Sequence, residues 1–459
     1  MSRIVPLILS VALFMEMMDA TVIATSLPAI ALDIGTNPVS LKLALTAYLV
    51  ALAIFIPVSG WLSDRFGAVN VFRIAIGVFM LGSLACAFSN SLETFVVSRF
   101  LQGMGGSMMM PVGRVLLLRA TPKGDLVSAM AWLTVPALIG PLAGPPLGGF
   151  ITTYFSWHWI FIINIPIGFA GILLAGKYLP RSGLRIKNRL DIKGFVLIGL
   201  TLSGIVFGLS VISLPVLPPL VGALTLLLGT VAGFVYWRHT AAVEKPILDP
   251  RIFRDKNFTI TNVWGALFRL SIGAFPFLVP LMLQVGYGLN PFQSGLITFA
   301  GAGGALAMKF FAKRTYARFG FHRVLAGAIL INSLFMVLYG FVDPVEFAYV
   351  LTGFIFLGGL TRSLLFTGTN ALMYATMPDE DTAQASAIAA VGAQVSIAIG
   401  VAIAGSLLEI SGFLRGGELA LPDFQLALVV LALVAALAAI PFARLSPDTG
   451  ANVSGYQAK

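Results

Sequence analysis

Charge is what this chain has least of. Of its 459 residues only 10% are charged and 58% are hydrophobic, where a soluble domain carries about 25% charge. That balance excludes an ordinary soluble protein. A single cysteine, Cys86, excludes an intramolecular disulfide and a multi-cysteine metal site; in its apolar run it reads as a small packing residue. The sequence also lacks a phosphate-binding glycine loop, any metal-ligand spacing and any nucleophile–base motif. No enzyme, no cofactor and no metal is expected from it. A cleavable signal peptide is missing as well: residues 4–30 are too long for its apolar core and have no small-residue cleavage site, so they read as a retained first span. The net charge of +10 does not indicate nucleic acid, because the basic residues form no single patch.

What the chain does have is apolar runs of about 20 residues from end to end, the length that crosses a bilayer as a helix. A barrel would show strands of about 10 alternating residues instead. The expected fold is an all-α polytopic membrane protein with fourteen spans, at roughly 5–30, 41–63, 72–90, 94–118, 127–152, 159–178, 192–212, 219–237, 258–284, 291–312, 322–341, 347–375, 382–409 and 423–443. With both termini inside, the inner segments hold 24 of the 29 Lys and Arg, and the outer loops hold only Lys42 and Arg415. That asymmetry follows the positive-inside rule. The two longest inner loops, roughly 179–191 and 238–257, bracket a hairpin of two spans with almost no polar content. The expected domains are therefore 1–180, a first bundle of six spans; 181–257, an inserted hairpin with its flanking loops; and 258–459, a second six-span bundle with a short tail.

An internal repeat supports this division. Asp64-Arg65-Phe66-Gly67 after the second span is echoed 253 residues later by Ala317-Arg318-Phe319-Gly320. Glu16 and Arg269 share that offset, and Arg99 and Arg362 stand 263 apart. Parallel halves related by an axis along the membrane normal mark transporters.

The remaining charges inside spans carry the chemistry. Arg99, Arg269 and Arg362 each sit in an apolar helix, where a charge costs about 2.5–3.5 kcal/mol even on the lenient insertion scale. Such residues face a bundle interior or a water-filled cavity. Arg99 and Gln102 are three apart and share a helix face; the plainer alternative is an arginine snorkelling to the nearby surface. Glu16 and Asp19 are also three apart, in a poorly hydrated span. They form a proton-carrying arrangement and an attraction for cations, or static acids satisfied by an arginine such as Arg99 or Arg269. Gly60 to Gly67 with Asp64, Arg65 and, further on, Arg73 form an inner helix–loop–helix junction, with Arg318 and Gly320 as its echo. Acid and base at helix ends pair with a neighbouring helix terminus and form a latch, or the segment is an ordinary interfacial turn. Gly140, Gly144, Pro145, Gly148 and Gly149 lie in a stretch of span five with three prolines and four glycines in ten residues. They make a pliable seam for close helix contact, or simply tight packing. Trp157, His158 and Trp159 read as part of an aromatic belt, and Asp379, Glu380 and Asp381 as caps of an inner helix.

On these residues the chain resembles the major facilitator superfamily, and within it the fourteen-span drug:proton antiporter branch of the EmrB/QacA type, MdtD-like multidrug exporters in particular. Gly140-x-x-x-Gly144-Pro145-x-x-Gly148-Gly149 matches the antiporter motif at each fixed position. Arg99-x-x-Gln102-Gly103 matches the fourth-helix motif. Asp19-Ala20-Thr21 with Leu27-Pro28 resembles the acidic first-helix motif, and Ser156 to Phe161 with Asn164-Ile165-Pro166 resembles the sixth. After Gly67 the family has basic residues where this chain has Ala68, Val69 and Asn70, with Arg73 as their stand-in. The resemblance implies two six-helix bundles around a central cavity plus a peripheral hairpin, in a bacterial cytoplasmic (inner) membrane. It implies export of amphipathic organic compounds against protons by alternating access, with Asp19 coupling the proton ahead of Glu16. The expected partners are a small-molecule substrate, protons and the lipid bilayer, with the protein a monomer. Two rivals stay open: a proton symporter or uniporter importing a small nutrient, and a non-transporting sensor or scaffold on a transporter fold.

Overall fold

The computed structural model describes residues 4–121, 126–180, 190–213, 218–378, 380–454 and 456. Arg3, Lys123, Arg181, Arg185, Lys187, Arg189 and Lys459, which enter the charge asymmetry, and Asp379 lie outside the described residues. Eleven helical stretches are long and apolar enough to cross a membrane. One of them, Pro291–Tyr339, is two spans joined at Gly320. The apolar helices Leu92–Ala120 and Leu126–Tyr154 bring the spans among the described residues to fourteen.

In chain order they are Ile4–Thr25, Pro38–Phe66, Ala68–Ala87, Leu92–Ala120, Leu126–Tyr154 and Trp159–Tyr178 for the first bundle. Ile192–Val211 and Pro219–Ala242 form the inserted hairpin. Lys256–Gly286, residues 291–319 and 321–339, Ala348–Met373, Thr382–Leu414 and Leu421–Ala443 form the second bundle. The first span is shorter than expected: it ends at Thr25, and a separate helix, Leu27–Asp33, follows. Span starts carry local signals. Ser91 and Thr94 form a capping box, as do Asn290 and Gln293, each satisfying backbone N–H groups that no helical carbonyl reaches. Asp381 stands before span thirteen, but its side chain accepts no backbone N–H there, so its expected capping role is not realised.

The repeated turns are made by the repeated glycines. Gly67 has φ +87° and Gly320 has φ +71°, a region that side-chain-bearing residues avoid. Each lets one span turn sharply into the next at one face of the membrane, here named the Asp64 face. The hairpin closes on itself through small residues. A side chain at Gly204 would strike Gly229, and one at Gly222 would strike Ile212. Its opposite flank leaves Leu220, Leu224, Leu227 and Leu228 exposed, as a lipid-facing surface requires. Ile198 and Val206 of the hairpin share a buried cluster with Ile54 of span two and Ile388 of span thirteen. Another cluster, at the opposite, Trp157 face, draws on both bundles, from Val22 and Phe161 to Phe277 and Leu428.

Replacing Gly67 or Gly320 by alanine is expected to cost about 1–3 kcal/mol each, read as a lower unfolding temperature of the detergent-purified protein. Wild-type stability in both variants would mean that neither turn depends on its backbone geometry.

Candidate functional site

The first bundle encloses a buried polar cluster centred on Asp19. Asp19 is 0% exposed and Arg99 is 1% exposed. Asp19 Oδ2 accepts from Arg99 Nη1 at 2.7 Å, and Oδ1 accepts from Gln102 Nε2 at 2.8 Å and from Asn164 Nδ2 at 2.9 Å. Ser83 Oγ accepts from Gln102 at 2.7 Å and from Asn164 at 3.3 Å. Arg99 Nη1 also reaches Gln102 Oε1 at 2.5 Å, and its guanidinium lies 4.3 Å from the centroid of the Tyr48 ring. Cys86 Sγ sits 3.8 Å from Gln102 Oε1. Side chains from spans one, two, three, four and six thus surround one carboxylate. Span four reaches it because Gly82 has no side chain: a Cβ there would lie 2.5 Å from the backbone N of Gln102.

The sequence brought Asp19, Arg99 and Gln102 forward, and the structure joins them. Arg99 therefore does not snorkel. Asn164 was visible only as part of the sixth-span string, and Ser83 carried no signal in the sequence. Both become functional candidates only through their distance to Asp19.

Glu16 is buried one turn below Asp19 on span one, and its Oε2 has no hydrogen-bond partner. Tyr48 Oη is likewise unpartnered. Arg269 is 3% exposed; it donates to the Thr261 carbonyl at 3.2 Å and lies 5.5 Å from the Phe268 ring centroid, with its Nε unpartnered. Arg362 is half-buried and lies 3.9 Å from the Phe275 ring centroid. No acid among the described residues pairs with Arg269 or Arg362. The three intramembrane arginines are therefore of two kinds: Arg99 is neutralised within its bundle, while the two in the second bundle lack a counter-charge.

Span five is in contact on two sides. Side chains at Gly144 and Gly148 would land on Thr21 and on the Val22 carbonyl of span one, and one at Gly140 would come within 2.9 Å of Phe14 O. These three glycines recur every four residues and make one helix face. Gly149 instead meets the Pro291 carbonyl of span ten, and Gly295 of span ten meets the Pro145 carbonyl in return. Thr25 Oγ1 approaches Pro145 O at 3.5 Å. The helix runs unbroken through its prolines.

Further hydrogen bonds join the bundles at the same Trp157 face. Gln284 Nε2 donates to Thr25 O at 3.0 Å, and Phe292 N donates to Thr153 Oγ1 at 3.1 Å. Lys42, counted as an outer-loop residue from sequence, is the first residue of a helix and 0% exposed. Its Nζ meets Glu409 Oε2 of span thirteen at 2.5 Å and Ser213 Oγ, just past span seven, at 2.9 Å. Ser213 in turn bonds Ser406 at 2.8 Å. Glu409 was not singled out from sequence, because it ends an apolar helix at the expected membrane border. Trp157 is 4% exposed, packs against Phe95 and Phe161, and donates to Asp33 at 3.1 Å. It is a core residue rather than part of an aromatic belt; Trp159, 53% exposed, suits the belt.

At the Asp64 face, Asp64 pairs with Arg119 at the end of span four, 3.2 Å apart and both about a third exposed. Arg65 is exposed, and a side chain at Gly60 would meet nothing. Arg73 lies against Gly176 of span six. Arg318 lies over the Phe319 ring at 5.3 Å; its half has Ala317 where the first half has Asp64. A groove of about 600 Å³ opens here between Pro57, Trp61 and Asp64, the linker residues Asp191 and Glu244, and Gln384 of span thirteen.

Known proteins place this architecture. The chain is 34% identical over 451 residues to the "Putative multidrug resistance protein MdtD" of Yersinia pestis (strain Pestoides F), covering 97% of this chain and 96% of the relative. It is equally similar to the protein of that name from Yersinia pseudotuberculosis (serotype O:1b, strain IP 31758). Among solved structures, the POT family transporter PepTSo superposes with a TM-score of 0.72 at 15% identity, covering 100% of this chain and 99% of its own. A D-xylose-proton symporter gives 0.69 at 13%, covering 97% and 98%. The family model described as Major Facilitator Superfamily matches residues 9–244 and 263–458. With fourteen spans, a repeated glycine turn and a sequence match along nearly its full length, the chain belongs to the Major Facilitator Superfamily.

Proposed function

We propose that this transporter exports amphipathic organic compounds in exchange for protons, across a bacterial inner membrane with both termini in the cytoplasm. The observation that carries the reading is the buried carboxylate of Asp19, held by Arg99, Gln102 and Asn164. An ionised acid in that place is stable only while its partners surround it. Taking up a proton removes the charge, weakens the pair with Arg99 and alters the packing of spans one and four. Proton occupancy and helix arrangement are thereby linked. The resistance function in the relatives' name supports an exporter, and the complete span-five motif supports an antiporter.

The contacts at the Trp157 face define the conformation. The distribution of Lys and Arg supports an outward placement of that face, and on this reading the arrangement is closed outward. Opening it separates Lys42 from Glu409 and parts Gly149 from Pro291 and Gly295 from Pro145. The Gly/Pro surface of span five suits this movement, because small residues let two helices part and close again without side chains interlocking. Proton entry to Asp19 from outside lowers substrate affinity and favours the return; release to the inside restores the pair with Arg99 and the affinity. On the cytoplasmic face Asp64 and Arg119 steady span two against span four within the first bundle, and Arg65 and Arg73 add positive charge near the junction. Glu16, one turn from Asp19 and unpartnered, is the second candidate proton carrier.

Asp19→Asn is expected to abolish proton-driven substrate uptake in everted vesicles; unchanged uptake would remove Asp19 from the mechanism. The same substitution strands a buried guanidinium and is expected to lower stability by about 3–5 kcal/mol. Asp19→Asn combined with Arg99→Gln should recover most of that stability while transport stays lost, which separates coupling from folding.

In a Cys86→Ala background carrying Thr153→Cys, Lys42→Met or Glu409→Gln should speed labelling of that cysteine by a membrane-impermeant maleimide from outside. The exchange Lys42→Glu with Glu409→Lys should slow it again. Equal labelling rates in all of these would show that the ion pair does not hold the outer face closed.

A further inference from the structure

The second bundle holds an arginine in a place built for a charge it does not itself supply. Arg362 lies nine residues, two and a half helical turns, from exposed Gly353, so it projects from the opposite helix face, into the bundle and away from lipid. Its guanidinium covers the Phe275 ring at 3.9 Å. It passes so close to span ten that a Cβ on Gly301 would lie 2.5 Å from Nη2. No hydrogen bond or ion pair ties it to any described residue, and it is half-buried rather than sealed.

The internal repeat explains why. Arg99 lies over Tyr48 in the first bundle. The 253-residue offset that relates the two glycine turns carries Tyr48 to Gly301 and Asp19 to Ile272, while Arg362 answers Arg99 at an offset of 263, ten residues longer. The second bundle therefore keeps the arginine, replaces the flanking tyrosine ring with a glycine, and replaces the carboxylate with an isoleucine. A guanidinium in these surroundings is costly without a counter-ion, and its planar fork matches a carboxylate, sulfonate or phosphate. Aromatic groups stand beside it. The Phe275 and Tyr339 rings are 5.8 Å apart, and Tyr339 Oη donates to Phe354 O at 3.3 Å.

We propose that Arg362 binds the acidic group of a transported amphiphilic anion, which takes the place that Asp19 occupies beside Arg99, with the apolar body of the anion against Phe275 and its aromatic neighbours. This rests on the transport reading above and deepens it. The substrates it adds are organic acids with an apolar body, and the first bundle's own acids do not select for them.

The test uses the full chain, purified and reconstituted, with three probes: fusidate as an amphiphilic carboxylate, ethidium as an amphiphilic cation and inorganic phosphate as a free anion. Binding is read as thermal stabilisation and transport as uptake into proteoliposomes. Fusidate should stabilise the wild type and be transported. Arg362→Met should weaken its apparent affinity by about tenfold or more, and Arg362→Lys by less. Gly301→Ala, which crowds the guanidinium, and Ile272→Asp, which supplies an internal carboxylate, should weaken it as well, with ethidium unaffected in each. The proposal is overturned if fusidate fails to bind the wild type or binds Arg362→Met equally well. It is also overturned if ethidium falls in parallel, or if phosphate binds and fusidate does not compete with it. Dissipating the proton gradient separates the two claims. Fusidate uptake that depends on Arg362 but ignores the gradient would refute proton antiport and leave the anion site standing.

Discussion

A carboxylate and a guanidinium with almost no access to water set the terms for the first bundle. Removing two charges from solvent costs several kcal/mol per ion, and their attraction offsets this only when the other lone pairs and protons are also bonded. Around Asp19 the carboxylate itself is satisfied: Arg99, Gln102 and Asn164 donate to it, and Ser83 accepts from Gln102 and Asn164, while Arg99 Nε and Asn164 Oδ1 are left without a partner among the described residues. Five spans must therefore keep their registers within hydrogen-bond tolerance. Gly82, which admits span four to near contact, belongs to the same requirement. In the proposed mechanism the cluster holds this geometry while the acid is ionised and loses its reason for it when the acid is neutral. A bistable element of this kind is what coupling between a proton and a conformational change needs.

The second bundle repeats the framework without the cluster. Its glycine turn at Gly320 mirrors that at Gly67, but Ile272 stands at the position related to Asp19, and no acid among the described residues pairs with Arg269 or Arg362. Among the described residues, one half thus holds an internal salt bridge and the other half holds two arginines without an acid partner. The two halves meet at the Trp157 face through backbone contacts of span five with span ten, and through Lys42 with Glu409. The inserted hairpin touches that junction through Ser213. The hairpin is thus in contact with the pair that joins the bundles, besides presenting an apolar flank to lipid.

Much of this was legible in the sequence, for physical reasons. Apolar runs of span length have one stable form in a bilayer, so the fourteen helices and their order follow from hydropathy alone. Gly67 and Gly320 were marked by their shared Arg-Phe-Gly string and proved to be the residues whose backbone needs no side chain. Asp19 and Arg99 stood out because charge inside an apolar helix is costly and so has a purpose, and Gln102 because it shares a helix face with Arg99. Ser83 did not stand out, and Asn164 did so only as part of the sixth-span string, since neutral polar residues are common in spans and only distance ties them to Asp19. Lys42 and Glu409 were hidden by position: each lies at a helix end, where a charge is ordinary, and their meeting depends on how two distant spans pack. Trp157 was misplaced for the same reason, because an aromatic residue at a span border reads the same whether it faces lipid or core.

The central claim is that proton occupancy of Asp19 and substrate occupancy exclude one another. The most direct measurement is the proton balance of the purified protein in weakly buffered detergent solution on addition of a transported compound. The account predicts proton release on binding by the wild type, and no release by a variant with asparagine at position 19. Binding without release by the wild type, or release that persists when Asp19 is gone, would contradict it.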